Sequence, residues 1–431
     1  MFGLRDELCA LKRPITVGIA GVGSIGRGLV LQSRITPGIR CVAIADCRIE
    51  RAVASAEKFG LDYRRVDTPG ELEDAVLHGK LAVCSDGDLV ARCDLVDVFI
   101  EATNSVAAGG RYGTTALEHN KHLVMMNYEA DLMFGNWLSS LARKKSLVYT
   151  VCDGDQPSVL LRLIDEMTFM GFDLVMAGNI KGFLDRYANP TTIVPEADKR
   201  DLDYHMCTSY TDGTKLSVEM AVLANGLGLR TAAPGMTGPR MASVYDVFDH
   251  FDFDVIWDGK TGLVDYILGA QPAGGVFAIG YTDDLYQKET LAWFPPRMGP
   301  GPFYLFYRPY HLGHFEAMAT VAEAALHHRP VLQPRYGFRT NVYAYAKKDL
   351  RAGEKLDGIG GYACYGMIEN CSDGGGPSGL PICLSDGVTV SRDIPRDGRI
   401  LMEDVVCDPG DYGFVLFKKS LAEAPEISSP A

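Results

Sequence analysis

The chain has 431 residues, 42 basic and 55 acidic side chains and a net charge of −13, too long for one ordinary core and too acidic for general attraction to nucleic acid or anionic lipid. With 47% hydrophobic and 23% charged residues wholesale disorder is excluded. The eleven cysteines include no C-x-x-C pair, which argues against a zinc ribbon or a disulfide scaffold and for free thiols in a reducing compartment.

In chain order, MFGLRDELCALKRP carries acids and no apolar signal core, and no run of about 18 apolar residues occurs anywhere. The expectation is a cytoplasmic protein with no membrane partner. ITVGIA (15–20) reads as a buried strand ending in a glycine-rich turn, with a helix through Leu29 and Leu31. CVAIAD (41–46), VDVFIEAT (96–103), HLVMMN (122–127) and LVYTVC (147–152) are further strands. RAVASAEKF (51–59) and the small-residue stretch around 105–119 are helices. Short apolar strands alternating with helices predict an α/β fold, a Rossmann-type doubly wound parallel sheet over residues 1–150.

From 151 to about 335 the texture becomes α+β. TSYTDGTKLSVEMAVLA and TGLVDYILGAQPAGGVFAIGYTDD read as strands joined by Gly- and Asp-rich turns, and HFEAMATVAEAALHH (314–328) as a helix returning to the first domain. Residues 336–431, broken by Gly, Pro and Asp, predict a small β-rich third domain with a frayed tail over the last dozen residues.

Gly21-Val22-Gly23-Ser24-Ile25-Gly26 fits G-x-G-x-x-G after a strand and before a helix, and Asp46 stands twenty residues on at the end of the second strand. Gly21 permits the tight turn, Gly23 the approach of a pyrophosphate, Gly26 close helix–sheet packing, and Asp46 a ribose hydroxyl. Asp46 favours NAD, whereas Arg48 offers a clamp for the 2′-phosphate of NADP or simply starts a helix. Thr103 and Asn104, at the end of a central strand, are either nicotinamide contacts or a helix cap.

Asp153-Gly154-Asp155 follows the last strand of the domain, and two carboxylates there suit a divalent cation as well as they suit a turn. Lys181, in GNIKG, is a candidate general acid or an exposed lysine in a turn. Lys215 and Glu219 stand at i,i+4, a spacing that more often makes a plain ion pair. The spacing of His311 and His314 imitates a metal pair only superficially.

VGIAGVGSIGRGL, KHLVMMNYEADLMFG, CDGDQPSV, GNIKGFLDRYANPTT, TSYTDGTKLSVEMAVLAN, GLVDYILGAQPAGGVF and FYRPYHLGHFE resemble the homoserine dehydrogenase-like oxidoreductases with a C-terminal SAF domain. Within them the chain is similar to the 1-deoxy-D-xylulose 5-phosphate reductoisomerase-like enzymes. The resemblance implies an SAF-like domain over 336–431, NADPH (or NADH) as cofactor, a divalent Mn or Mg ion, a phosphorylated or acidic small substrate, and a homo-oligomer. It implies a metal site at Asp153, Asp155 and Glu219, catalytic roles for Lys181, Asp153 and Lys215, and substrate contacts from His205, Ser209 and Lys215. The activity implied is conversion of 1-deoxy-D-xylulose 5-phosphate to 2-C-methyl-D-erythritol 4-phosphate. The ordinary reductoisomerases carry acid-serine-glutamate where this chain has Asp153-Gly154-Asp155. A metal-free dehydrogenase of a branched sugar acid therefore stays open, as does a nucleotide-sensing protein without turnover.

Overall fold

The computed structural model describes residues 3–200, 202–294, 297–371 and 379–425. They pack as two compact units, one of residues 1–155, 312–333 and 410–424, the other of residues 156–311 and 334–409. Among the described residues no helix is long and apolar enough to cross a membrane.

The first unit is built on seven parallel strands: β1 Ile15–Ala20, β2 Ile39–Ala45, β3 Tyr63–Arg65, β4 Leu81–Cys84, β5 Val98–Glu101, β6 His122–Met125 and β7 Tyr149–Val151. Their order is β3-β4-β2-β1-β5-β6-β7, so the winding reverses between β1 and β5, where α/β sheets leave a crevice at the strand ends. The central strands are apolar on both faces, as a sheet covered by helices on each side requires. Two strands had no clear signature in the sequence: β3 is a three-residue edge ending in two exposed arginines, and β4 is only four residues long.

Two later segments complete this unit. The helix Ala317–His327 places Met318 and Val321 in the core that contains Ile19 and Val98. The helix Tyr412–Ala422 packs along Tyr128–Lys144, and Glu423 then accepts from Ser140 Oγ and Lys144 Nζ, both at ≤2.7 Å. The helix Tyr412–Ala422 thus runs into the dozen residues expected to fray; residues 426–431 of that stretch lie outside the described residues.

The second unit holds a mixed sheet, β12-β11-β8-β10-β9, of β8 Asp173–Lys181, β9 Arg230–Thr231, β10 Leu263–Leu268, β11 Val276–Tyr281 and β12 Phe303–Arg308. One face packs on the helices Gln156–Phe169 and Thr214–Leu227, the other on Val244, Val247, Phe251 and Phe253. TSYTDGTKLSVEMAVLA is not strand but the end of one helix, Tyr204–Thr211, and the start of another, Thr214–Leu227. Thirteen of the fourteen residues of the second are buried, and a helix enclosed on all sides shows no amphipathic period to read.

Residues 336–409 do not stand apart as a third domain. The hairpin of β13 Thr340–Ala346 and β14 Cys364–Asn370 lies against Thr214–Leu227. Gly366 N donates to Thr214 Oγ1 (2.8 Å), Thr340 N to Asn225 Oδ1 (2.9 Å), and Lys347 Nζ meets Asp212 Oδ2 at 2.8 Å. These buried polar bonds tie the segment to the sheet domain, so the two share one core.

Candidate functional site

The glycine turn sits where the sheet reverses. Gly21 has φ +90°, and a Cβ there would lie 2.4 Å from the Ala102 carbonyl oxygen, so the turn after β1 and the end of β5 touch through backbone alone. A Cβ on Gly26 would fall 1.8 Å from the Gly21 carbonyl oxygen. At Gly23 a Cβ would meet nothing within 4 Å. The space over Gly23 is therefore open, as approach of a pyrophosphate to the backbone requires. Gly23 also caps the helix Ser24–Ile35 without any side-chain bond, and the first-turn backbone, with Ser24 and Ile25 exposed, keeps its positive end for an anion.

Asp46 is buried at the end of β2, with Oδ2 accepting from Val22 N (2.8 Å) and Oδ1 from Arg48 N (2.9 Å). Its carboxylate fixes the glycine turn and the start of the next helix, Oδ1 also accepting from Cys47 Sγ, and Oδ2 keeps a lone pair for a ribose hydroxyl. Arg48 is exposed and stands at the N-cap of Ile49–Lys58. At the end of β5 the helix cap is Ser105, which accepts from Ala108 N, and not Thr103 or Asn104. Thr103 is half-buried and Asn104 exposed.

Sequence reasoning passed over Glu101. It is fully buried, its Oε1 accepts from Thr103 N (3.1 Å), and burial pushes its carboxyl up to about 8. Its signal was an acid closing an otherwise apolar strand beside the glycine turn.

Asp153 and Asp155 end the first unit. Asp153 N donates to Thr320 Oγ1 (2.9 Å), and Asp153 Oδ1 accepts from Gly154 N (2.7 Å). Gly154, at φ +102°, leaves no room for a Cβ, which would lie 1.9 Å from the Gly313 carbonyl oxygen. His314, three residues after His311, stacks on Phe315 and covers Gly28, whereas His311 Nδ1 bonds the Gly274 carbonyl in the second unit.

In the second unit β8 runs through Lys181, so this lysine is a strand residue and not part of a turn. Lys181 Nζ lies 4.0 Å from Glu219 Oε2, and Asn179 Nδ2 approaches the same oxygen at 3.5 Å. Glu219 and Asn179 are buried and Lys181 nearly so. Asn179 Oδ1 has no hydrogen-bond partner among the described residues, an arrangement that awaits a donor. Lys215 is buried one turn before Glu219 on the same helix. His205 is exposed in the first turn of Tyr204–Thr211, and Ser209 Oγ donates to the Met206 carbonyl (2.8 Å) of its own helix.

The expected metal set is divided between units, Asp153 and Asp155 in one and Glu219 in the other. Among the described residues no three His, Cys, Asp or Glu side chains gather as a metal site, and Glu219 already faces a cation. Among the described residues the cysteines form no disulfide, and burial pushes the Cys84 and Cys364 thiols up to about 12.

A seven-stranded doubly wound sheet with this turn defines the first unit as a nicotinamide-dinucleotide domain, and the chain as an NAD(P)-dependent oxidoreductase. Residues 154–317 match the family described as the catalytic domain of oxidoreductase DRL. No curated protein matches the chain.

Solved structures to which parts of the chain are similar include three oxidoreductases. A biliverdin reductase from Synechocystis, in complex with biliverdin and NADP+, is 17% identical over 41% of this chain and 49% of its own, with a TM-score of 0.29. The chain thus spans about half the length of that protein. A 1-deoxy-D-xylulose 5-phosphate reductoisomerase from Zymomonas mobilis, in complex with NADPH, is 13% identical over 72% of this chain and 81% of its own, with a TM-score of 0.35. A 3-ketoreductase from Actinomadura kijaniata, in complex with NADP and TDP-benzene, is 15% identical over 73% and 90%, with a TM-score of 0.38.

Proposed function

We propose that the protein is an NADPH-dependent reductoisomerase that converts 1-deoxy-D-xylulose 5-phosphate to 2-C-methyl-D-erythritol 4-phosphate. The observation that carries the reading is the buried Lys181–Glu219–Asn179 cluster, which lies within the segment matching the DRL catalytic domain. A reduced nicotinamide bound on the glycine turn supplies a hydride. Before hydride transfer the substrate's C3–C4 bond breaks as a C2–C4 bond forms, the C3 hydroxyl losing a proton and the C2 oxygen gaining one, so that C3 becomes the aldehyde to be reduced; the proton movements fall to this chain's own side chains.

Lys181, charge-matched by Glu219, hydrogen-bonds the substrate oxygen that gains negative charge as the carbonyl carbon is reduced, and gives it a proton. Asn179 Oδ1 accepts from a substrate hydroxyl and fixes which carbon faces Lys181. Glu219, almost sealed from water, holds the ammonium in place between turnovers.

The test is NADPH oxidation with 1-deoxy-D-xylulose 5-phosphate, with and without manganese, the product being identified by mass and NMR. The branched erythritol phosphate is the expected product, and Lys181→Met is expected to lower kcat by about 10²- to 10⁴-fold with cofactor affinity unchanged. Cofactor binding without oxidation of NADPH would reject the reductoisomerase. A second reading is a metal-free dehydrogenase of a branched sugar acid, because Asp153-Gly154-Asp155 stands where the ordinary reductoisomerases carry acid-serine-glutamate. Reversible turnover of such an acid in the presence of a chelator would establish it.

A further inference from the structure

The second unit contains a pocket of about 300 Å³ between the Thr214–Leu227 helix, the end of β10 and the β13–β14 hairpin, a size at the lower end for small-metabolite sites. Its floor shares a sheet face with the Lys181 cluster. Tyr266 and Leu268, which line the pocket, pair in parallel register with Asn179 and Lys181, and in-register neighbours project to the same side. One helix serves both places, giving Leu216 and Ser217 to the pocket and Glu219 to the cluster.

Most charged groups around the pocket are engaged with one another. Lys347 Nζ is 2.8 Å from Asp212 Oδ2 and also donates to the Ala188 and Gly361 carbonyls, so the acid on the pocket wall is matched. Asp397 accepts from the hydroxyls of Tyr187 (2.8 Å) and Tyr365 (2.9 Å), and Arg396 lies over the Tyr187 ring at 3.7 Å. Arg186 lines the pocket with its guanidinium over Tyr365, 5.2 Å from the ring centroid, and forms no ion pair among the described residues. Arg186 and Arg396 both help hold the Asp397 carboxyl below its ordinary range, and Asp265 stands behind Tyr266; the Arg186 guanidinium, bonded to neither acid, is a planar donor fork suited to an oxyanion. At the pocket's edge a Cβ on Gly213 would meet no atom within 4 Å, so the backbone there is open to a ligand.

We propose that this pocket binds the phosphate monoester end of a small hydroxylated substrate, with Arg186 as its counter-ion, while Lys181 and Asn179 face the reacting carbons. The assignment rests on the reductoisomerase reading only for the identity of that substrate. Arg186 is a specificity residue for the tail and takes no part in proton or hydride transfer.

The experiment is calorimetric titration of the full-length protein with glycerol 3-phosphate, glycerate and glycerol, in the native chain and in Arg186→Gln and Arg186→Lys. NADPH affinity serves as the control for folding. Glycerol 3-phosphate is expected to bind better than glycerate or glycerol, tenfold to a hundredfold less well in Arg186→Gln, and with intermediate affinity in Arg186→Lys. Equal binding of glycerol 3-phosphate to the native chain and Arg186→Gln, or a preference for glycerate, would overturn the assignment. KM for 1-deoxy-D-xylulose 5-phosphate separates the two ideas. Arg186-dependent phosphate binding without turnover keeps the pocket and rejects the reaction. Turnover with a KM that Arg186→Gln does not change keeps the reaction and rejects the pocket.

Discussion

Gly23 and Gly26 belong to one six-residue motif, yet they should fail differently when a methyl group is added. In Gly26→Ala the new Cβ would stand 1.8 Å from the Gly21 carbonyl oxygen. Neither backbone can rotate away, so the helix must move off the sheet, at a cost of about 1–3 kcal/mol or more. In Gly23→Ala the methyl meets no protein atom within 4 Å, and φ is −71°, so the fold loses only the small preference for glycine over alanine at an N-cap, roughly 0.5–1 kcal/mol. The same methyl enters the space where a pyrophosphate would approach the first-turn amides. Losing a charge-assisted hydrogen bond there is worth about 1.5–3 kcal/mol, or about ten- to a hundredfold in affinity. NADPH fluorescence titration beside thermal melts separates the effects. Gly23→Ala should melt within about 4 °C of the native chain and bind NADPH ten- to a hundredfold more weakly, whereas Gly26→Ala should melt well below both. Unchanged affinity in Gly23→Ala, or a melting point as low as that of Gly26→Ala, would refute the placement of the dinucleotide on this turn.

Two further outcomes follow from buried charge. Burial raises the Glu101 carboxyl from its ordinary 4.5 to about 8, so between those values the folded state keeps a proton that the unfolded chain has lost. The stability this gives is complete below about pH 4.5 and is lost as pH rises to 8, at up to about 1.4 kcal/mol per unit. Glu101→Gln should flatten that slope in denaturant titrations from pH 5 to 8. The slope that remains should end near pH 7, where burial has moved Asp131, and an unaltered slope would show that Glu101 is ionised in the fold. In the second unit, Lys347→Met alone should cost about 3–5 kcal/mol by leaving Asp212 buried without its cation. The double variant Asp212→Asn, Lys347→Met should recover part of that loss, and strict additivity in urea unfolding would contradict the ion pair.

The nucleotide-binding half of the chain was legible because its signals are local. A glycine turn, the strand before it and an acid twenty residues on lie within about thirty positions, and each acts through its own backbone or its nearest neighbour. The helix Val106–Glu118 was legible for the same reason, its cap Ser105 standing at its very start. What escaped depended on distance in sequence. Thr214–Leu227 is enclosed by a sheet, a helix and a hairpin that begins more than a hundred residues later, so no face of it is exposed and no period marks it. The merging of residues 336–409 with the sheet domain turns on bonds such as Ser217 Oγ to the Gly366 carbonyl (3.3 Å), which no local pattern announces. His205 and Ser209 were attractive as residue types, but the backbone geometry gives Ser209 a partner within its own helix.

The same distinction explains why the chemistry of the second unit is best read through register. Lys181 in isolation is a lysine near a glycine. Paired in parallel with Leu268, as Asn179 is with Tyr266, it becomes one of four side chains on a single sheet face, under a helix that adds Glu219. An insertion of one residue in β10 would send Tyr266 and Leu268 to the opposite face while leaving Lys181 in place. The pocket and the proton donor therefore depend on a shared alignment of two strands more than eighty residues apart. Substrate selection and catalysis would fail together under such a shift, whereas Arg186→Gln should affect selection alone.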